Sequence, residues 1–425
     1  MSAGRSAVVE RFGRRRYYGW SLVVALGVTT CISYGTSQYL FGLLVAPIRG
    51  ELGWSNATLS SAYAGTVLLS GVAGLGAGRI LDRIGARALM TVGSLLGALS
   101  LYLVSRATSP LEFTLLWTFG IGIASALTYY PVSFTIVANW FHRGQPQALA
   151  LLTFMGAFAS PAFYPLGGLL IARYGWREAL VALAVVQLLV AFPLHAIFVR
   201  RRPEDYGLNP DGAAQPDEWT PVHGIAFGVA LRTPSFWLIA GAMALSFLAS
   251  TIVLLEHIAY LVQRGFAAPL VAALVGFFGI AYLPGRWLVA YASGRVATAT
   301  QLAIVFALEA AGIVLLLFAR DVVWVVAYVA LFGIAYGALA PLRGAVIAER
   351  FGRRAYGEIF AAQNVVTLVV AAAGAVGAGI VVDRVGYASV FEVCIASCLA
   401  AAIVITMSQR RQTSVGIAET VTASS

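Results

Sequence analysis

Apolar residues fill this chain in long runs, broken only by short polar or arginine-bearing joints. A helix needs about 20 apolar residues to cross a hydrocarbon core. Twelve runs reach that length, at 20–48, 56–80, 87–106, 110–139, 146–173, 176–199, 234–262, 269–293, 299–319, 321–347, 355–381 and 386–407. Backbone polar groups in lipid must be satisfied internally, so only helices and closed barrels span membranes. Barrel strands alternate over about ten residues. These runs are longer and continuous, which predicts an all-α membrane protein of twelve transmembrane helices.

The joints set the orientation. If the N-terminus is cytoplasmic, the cytoplasmic segments hold 19 arginines and the outer loops seven (Arg49, Arg106, Arg173, Arg177, Arg264, Arg320 and Arg384). Arg286 and Arg343 fall inside runs. The excess of positive charge on one side predicts both termini inside a plasma (cytoplasmic) membrane. The only long polar stretch, 200–233, separates six runs from six. The expected organisation is a basic N-tail at 1–18, a six-helix bundle at 19–199, an interdomain loop at 200–233, a second bundle at 234–408 and a C-tail at 409–425.

The two bundles match at a constant offset. Gly53-Trp54 returns as Gly265-Phe266, Trp140-Phe141 as Arg350-Phe351, and Gly168, Arg173, Gly175 and Trp176 as Gly379, Arg384, Gly386 and Tyr387. Internal repeats of helical bundles are the sequence mark of carriers that bind substrate near the membrane midplane and expose it alternately.

Composition removes other classes. The chain is 60% hydrophobic and 11% charged, against about 25% charged in ordinary globular proteins. A water-soluble enzyme and a nucleic-acid binder are therefore excluded, and the net charge of +10 reads as a face toward anionic lipid. No signal peptide is expected in the first 18 residues. Cys31, Cys394 and Cys398 form no disulfide or metal pattern. Neither a catalytic constellation nor a phosphate loop is evident. The prediction is a non-enzyme with no cofactor and no metal.

The joint after the second run reads Gly78-Arg-Ile-Leu-Asp82-Arg83-Ile-Gly85-Ala-Arg87. It resembles the GxxxDRxGxR signature of the major facilitator superfamily. Glycines allow the tight turn, and Asp82 can latch one conformation by meeting a helix N-terminus or an arginine. Further segments resemble the monocarboxylate and oxalate/formate branch: Tyr39 to Trp54, Tyr129-Tyr-Pro131, Asn139-Trp-Phe141, Arg202 to Gly212, Leu231 to Trp237 and Phe351 to Gly357. The resemblance implies a carrier of small carboxylates, moved with a proton or exchanged for another anion. Its expected partners are a small organic anion, protons and lipid, and it is expected to act as a monomer.

Charges within lipid are costly and mark function by default. Arg286, beside Pro284-Gly285, matches the substrate-binding arginine of the eighth helix in these families, and a guanidinium meets a carboxylate with two parallel hydrogen bonds. A structural pairing with Glu309 is the competing reading. Tyr282, Gln38 and the pair Gln363-Asn364 stand where relatives carry Asp or Asn, Lys, and a second cation. Arg343 is either that second cation or an arginine snorkelling to the cytoplasmic face. Tyr34, Tyr129, Tyr336 and Asn364 complete the expected binding set with Arg286, Tyr282 and Gln38. Glu256, His257 and Glu309 are the candidates for proton coupling. Gly78, Asp82, Arg83, Gly85 and Arg87 form the expected latch. His142, His195 and His223 are read as structural.

The expected function is proton-coupled transport of a monocarboxylate by alternating access, with anion exchange as an alternative. Pro161 and Pro165 in the fifth run partly resemble a motif of drug antiporters, which keeps proton-driven efflux open. A membrane sensor that binds without translocating is the alternative of another class.

Overall fold

The structure, a computed structural model, describes residues 17–142, 144–200, 202–212, 224–352 and 355–422, with the side chains of 74–84, 146 and 409–422 outside that description. His223, most of the N-tail, and the side chains of Gly78, Asp82 and Arg83 therefore lie outside it. Among the described residues the chain is helical throughout, apart from one antiparallel bridge between Gly224 and Gly352.

Among the described residues, ten helical stretches are long and apolar enough to cross a membrane. We label them with their neighbours in chain order. The first four helices are α1 (Tyr18–Leu52), α2 (Asn56–Ile84), α3 (Ala86–Ser105) and α4 (Pro110–Trp140). The 52-residue stretch Gln147–Phe198 turns at Gly175, whose φ of 82° and ψ of 166° are not helical, and is read as α5 (145–174) and α6 (176–198). Then come α7 (Pro234–Gln263), α8 (Ala268–Ala292), α9 (Thr298–Leu317), α10 (Val322–Phe351), α11 (Tyr356–Val385) and α12 (Tyr387–Ser408).

The sequence repeat has a backbone cause. Gly53 and Gly265 both take positive φ, 66° and 95°, and so do Gly175 and Gly386, at 82° and 99°. Side chains rarely tolerate that region, so each pair of joints needs glycine at the same place.

Contacts divide the chain into two compact units, Met1–Trp54 with Gly65–Thr220 and Ser55–Ala64 with Pro221–Ser425. In the first, Trp140 anchors a buried cluster with Tyr18, Leu22, Val23 and Ile136. Its indole Nε1 donates to the Arg200 carbonyl at 3.2 Å, and Tyr17 donates to the Trp140 carbonyl at 2.7 Å. The loop segment Arg202 to Gly212 gains a local role here. Asp211 accepts from the backbone amides of His142 and Gly144 at 2.9 and 3.0 Å, capping the turn into α5. At the opposite joint Trp176 Nε1 donates to Glu51 at 2.7 Å, while Arg177 pairs with Glu51 at 3.4 Å and lies over the Trp176 ring.

In the second unit, Phe236, Phe306, Leu342 and Ile347 centre the core. Asp321 caps α10 through Val323 N and Trp324 N at 2.9 and 3.3 Å. Asp383, near the end of α11, accepts from Asn56 N and Ala57 N at 3.1 and 2.9 Å, so the first turn of α2 is capped from another helix. A carboxylate there complements both the orphan amides and the helix dipole. Large apolar side chains such as Leu189, Trp287 and Ile403 remain exposed along the helices, as lipid-facing surfaces require.

Candidate functional site

Two neighbourhoods, one in each unit, hold the predicted binding residues. In the first unit, α4 breaks at Tyr129, which takes an extended ψ of 176° before the helix resumes at Tyr130. Pro131 is the local cause. It lacks an N–H, and its ring disfavours an uninterrupted helix before it. The break turns the Tyr129 ring flat against Tyr34, with centroids 4.0 Å apart and planes at 14°. Tyr129 and Ser37 share a hydroxyl contact at 2.5 Å. Ser37 and Gln38 lie in a π-helical turn, Gly35–Tyr39, the kind of irregularity that often marks functional helices. Gln38 is half-buried. Hydroxyls of Ser33, Thr36, Ser37, Ser125 and Thr128, with the amide of Gln187, line a small cleft. This neighbourhood presents hydroxyls and ring faces, and its described residues bring no charge.

In the second unit, α8 and α10 meet backbone to backbone. A Cβ on Gly285 would strike the Ile334 carbonyl, and one on Gly337 would strike the Tyr282 backbone. Small residues allow such approach in membrane bundles. Tyr282 is buried, 5.2 Å from the Tyr336 ring and 6.2 Å from Phe278. Arg286 follows one turn later on α8, half-buried, between buried Gly285 and exposed Trp287. A guanidinium therefore sits within an apolar span, one turn from Tyr282, whose ring packs on Tyr336.

The proton-coupling candidates go to three different places. Glu309 is fully buried, and both its oxygens are occupied: Ser246 Oγ donates to Oε2 at 2.6 Å and Ser250 Oγ to Oε1 at 2.7 Å. Its partners are α7 serines, so the structural pairing with Arg286 is not formed. Glu256 accepts from Ser60 Oγ at 3.2 Å. His257, the next residue, is buried instead among rings, 5.7 Å from Phe278 and 6.2 Å from Tyr328. Phe278 touches both His257 and Tyr282, which places His257 and Tyr282 in one aromatic cluster.

Arg343 does not extend past the end of α10. Its Nε donates to Gln363 Oε1 at 3.0 Å and an Nη to Asn364 Oδ1 at 3.1 Å, with Phe360 under the guanidinium at 4.6 Å. Asn364, expected on substrate, is thus engaged with an arginine. Gly85 begins α3 with a φ of 87°, and Arg87 is exposed. His195 is buried against Ser94, consistent with a structural role.

Sequence reasoning passed over Ser246 and Ser250, whose spacing of four places both hydroxyls on one face of α7. It also passed over Asp383. That residue carries no local signal, because the turn it caps is 327 residues away.

Comparison with known proteins bears on these neighbourhoods. The model of the Major Facilitator Superfamily matches residues 26–320, more than two thirds of the chain. The probable nitrate/nitrite antiporter NarK1 of Thermus thermophilus is 35% identical over 170 residues, 36% of this chain and 37% of that protein. Monocarboxylate transporter 3 of Rattus norvegicus is 29% identical over 166 residues, 38% of this chain and 32% of that protein. The chain thus spans about a third of the length of these curated relatives. Among solved structures, a bacterial homologue of the human lysosomal transporter Spinster, inward-facing and unoccupied, superposes with a TM-score of 0.70 at 14% identity, covering 92% of this chain and 96% of that one. A mutant of the nucleoside transporter NupG gives a TM-score of 0.70 at 11% identity, over 91% and 99%. These likenesses show the fold, and the family match shows the lineage: the chain is a multi-pass membrane transporter of the Major Facilitator Superfamily, with monocarboxylate transporters among its relatives.

Proposed function

We propose that the protein is a secondary active carrier of a small organic anion, a monocarboxylate, moved with a proton by alternating access. We place it in the plasma (cytoplasmic) membrane as a monomer with both termini inside. The observation that carries this reading is Arg286. It lies in the interior of an apolar span, at the level where Gly285 and Gly337 press α8 against α10. A guanidinium offers a planar fork that matches a carboxylate bidentately. Tyr282, one turn away, and Tyr336, packed on its ring, offer hydroxyls that fit a 2-hydroxyl or keto oxygen on the same substrate. In the first unit, Tyr34, Tyr129 and Gln38 are the proposed substrate-binding residues, and they bring no charge. The joint from Gly78 to Arg87, with Asp82 and Arg83, acts as the conformational latch.

His257 is the proton carrier this reading favours, because its ring shares Phe278 with Tyr282. Glu309 is held apart by its two serines. A second reading, exchange of an inorganic oxyanion, draws support from the likeness to NarK1. One experiment separates them: uptake of labelled lactate or pyruvate into proteoliposomes, with and without an inward proton gradient, against nitrate counterflow. Gradient-stimulated lactate uptake, lost in Arg286→Gln, is the expected result. In His257→Gln the stimulation disappears while exchange persists, and Glu309→Gln keeps the stimulation. Transport that survives Arg286→Gln refutes the assignment and favours export of an amphipathic compound.

A further inference from the structure

Arg343 is held by two side chains of α11. Its two side-chain acceptors, Gln363 Oε1 and Asn364 Oδ1, are neutral amides. They satisfy hydrogen bonds but cancel no charge. Among the described residues no carboxylate contacts this guanidinium, and α10 is one of the spans. An ionised group at such depth needs a counter-charge. Replacing either amide by its acid would supply one through a single-atom change. The chain instead keeps Gln and Asn.

The donors around Arg343 exceed the acceptors. A guanidinium carries five N–H groups, and two reach α11. Gln363 is 1% exposed, and its Nε2 is buried without a hydrogen-bond partner. The orientation of that amide is fixed, since its oxygen is taken by Arg343 Nε. A buried unsatisfied donor is costly, so a cluster that serves only to tie α10 to α11 would be expected to fill it. Phe360 covers one face of the guanidinium at 4.6 Å, and the edge bearing the other Nη is not taken by Gln363 or Asn364.

We infer that Arg343, Gln363 and Asn364 form a second anion site, which takes a carboxylate or similar oxyanion through the free edge of the guanidinium and the Gln363 amide. Its place along the fold follows from the α8–α10 contact. Gly285 lies against Ile334 and Ala338, so Arg343 stands about five residues, roughly 7 Å at 1.5 Å per residue, nearer the C-terminal end of α10 than Arg286. The substrate anion would meet two cations in succession on one unit. The inference rests on the anion-carrier reading only for the identity of the anion.

The test is thermal stabilisation of the purified full-length protein in detergent, titrated with sodium lactate and with sodium oxalate against sodium chloride at equal ionic strength. A saturable shift is expected in the wild type with at least one of the two. Gln363→Glu places a carboxylate on Arg343 and keeps the tie between helices. Its melting temperature without anion should hold or rise, while the half-saturating concentration rises at least about tenfold, the loss expected for a charge-assisted contact. Asn364→Asp should act in the same way, and it carries the test if Gln363→Glu fails to fold. Arg286→Gln should retain a saturable shift. Unchanged anion response in both acidic variants, or no saturable shift in the wild type, overturns the inference. A response that Arg286→Gln abolishes and the acidic variants preserve overturns it while leaving the Arg286 assignment standing. The reverse pattern upholds Arg343, and the Arg286 assignment is then decided by the uptake assay alone.

Discussion

In the first unit, the buried polar groups of the spans are mostly hydroxyls and amides. Thr30 meets Ser133 at 3.4 Å, Thr36 meets Gln187 at 3.4 Å, and Ser37 meets Tyr129 at 2.5 Å. Its described arginines and carboxylates sit at helix ends, as Arg49, Glu51, Glu112 and Arg177 do. In the second unit the corresponding interiors hold Glu256, His257, Arg286, Glu309 and Arg343. Yet the joints of the two units share glycines with positive φ at matching positions. The two units share a backbone plan at these joints, and among the described residues the charges inside the spans lie in the second. The physical advantage is that each charge within lipid must be stabilised. One unit can then build its packing around charges while the other needs only neutral polar surfaces.

Substitutions in mirrored neighbourhoods test this division. The largest effect is expected at Arg286. Arg286→Gln removes a charge-assisted bidentate contact and should lower carrier-mediated uptake about 100-fold, from two such bonds at about 1.5 kcal/mol each. Measured as initial rates in proteoliposomes, a loss under about fivefold would mean that the charge in this unit does not bind substrate. Next comes Gly337→Ala, which forces a Cβ into the Tyr282 backbone. Overpacking of this kind costs about 1–3 kcal/mol, readable as a lower melting temperature, and it should weaken substrate binding in step because Tyr282 is displaced. A variant as stable as wild type would show that the two helices separate freely.

The all-helical membrane character of this fold was open to reading from the chain alone. Run lengths pointed to long apolar helices, and the repeat pairs joints whose glycines share positive φ. The stretch 147–198 was already two runs in the sequence, 146–173 and 176–199, and the non-helical backbone angle at Gly175 falls between them. The lone charges were visible for the same reason that they are costly: an arginine stands out among leucines. Their partners were not visible. Arg343 lies 20 and 21 residues from Gln363 and Asn364, and the packing of two helices decides that meeting. Ser246 and Ser250 were hidden because serines in helices often bond their own backbone carbonyls. Here they turn instead to Glu309.

Tyr129→Phe probes the neutral side of the comparison. It keeps the stack on Tyr34, 4.0 Å between centroids, and removes only the hydroxyl shared with Ser37. A neutral hydrogen bond contributes about 0.5–1.5 kcal/mol, so apparent affinity should fall about fivefold with the maximal rate unchanged. An effect as large as that of Arg286→Gln would break the division into a charged and a neutral unit.

The smallest effect tests the shared backbone. Gly53 and Gly265 occupy matching joints at φ of 66° and 95°, and a Cβ at either position would meet nothing within 4 Å. Sterics therefore drop out, and only backbone conformation opposes a side chain. Placing an L-residue in left-handed space costs about 1–2 kcal/mol. Gly53→Ala and Gly265→Ala should each lower stability by about 1 kcal/mol, and by the same amount, when unfolding is followed in mixed micelles. The double variant should be additive, because the positions lie in different joints and share no partner. Equal penalties would show that the repeat is maintained by geometry, independent of where the charges went. Unequal ones would mean that one joint carries a role beyond turning the chain, and the glycines would then have to be explained separately in each unit.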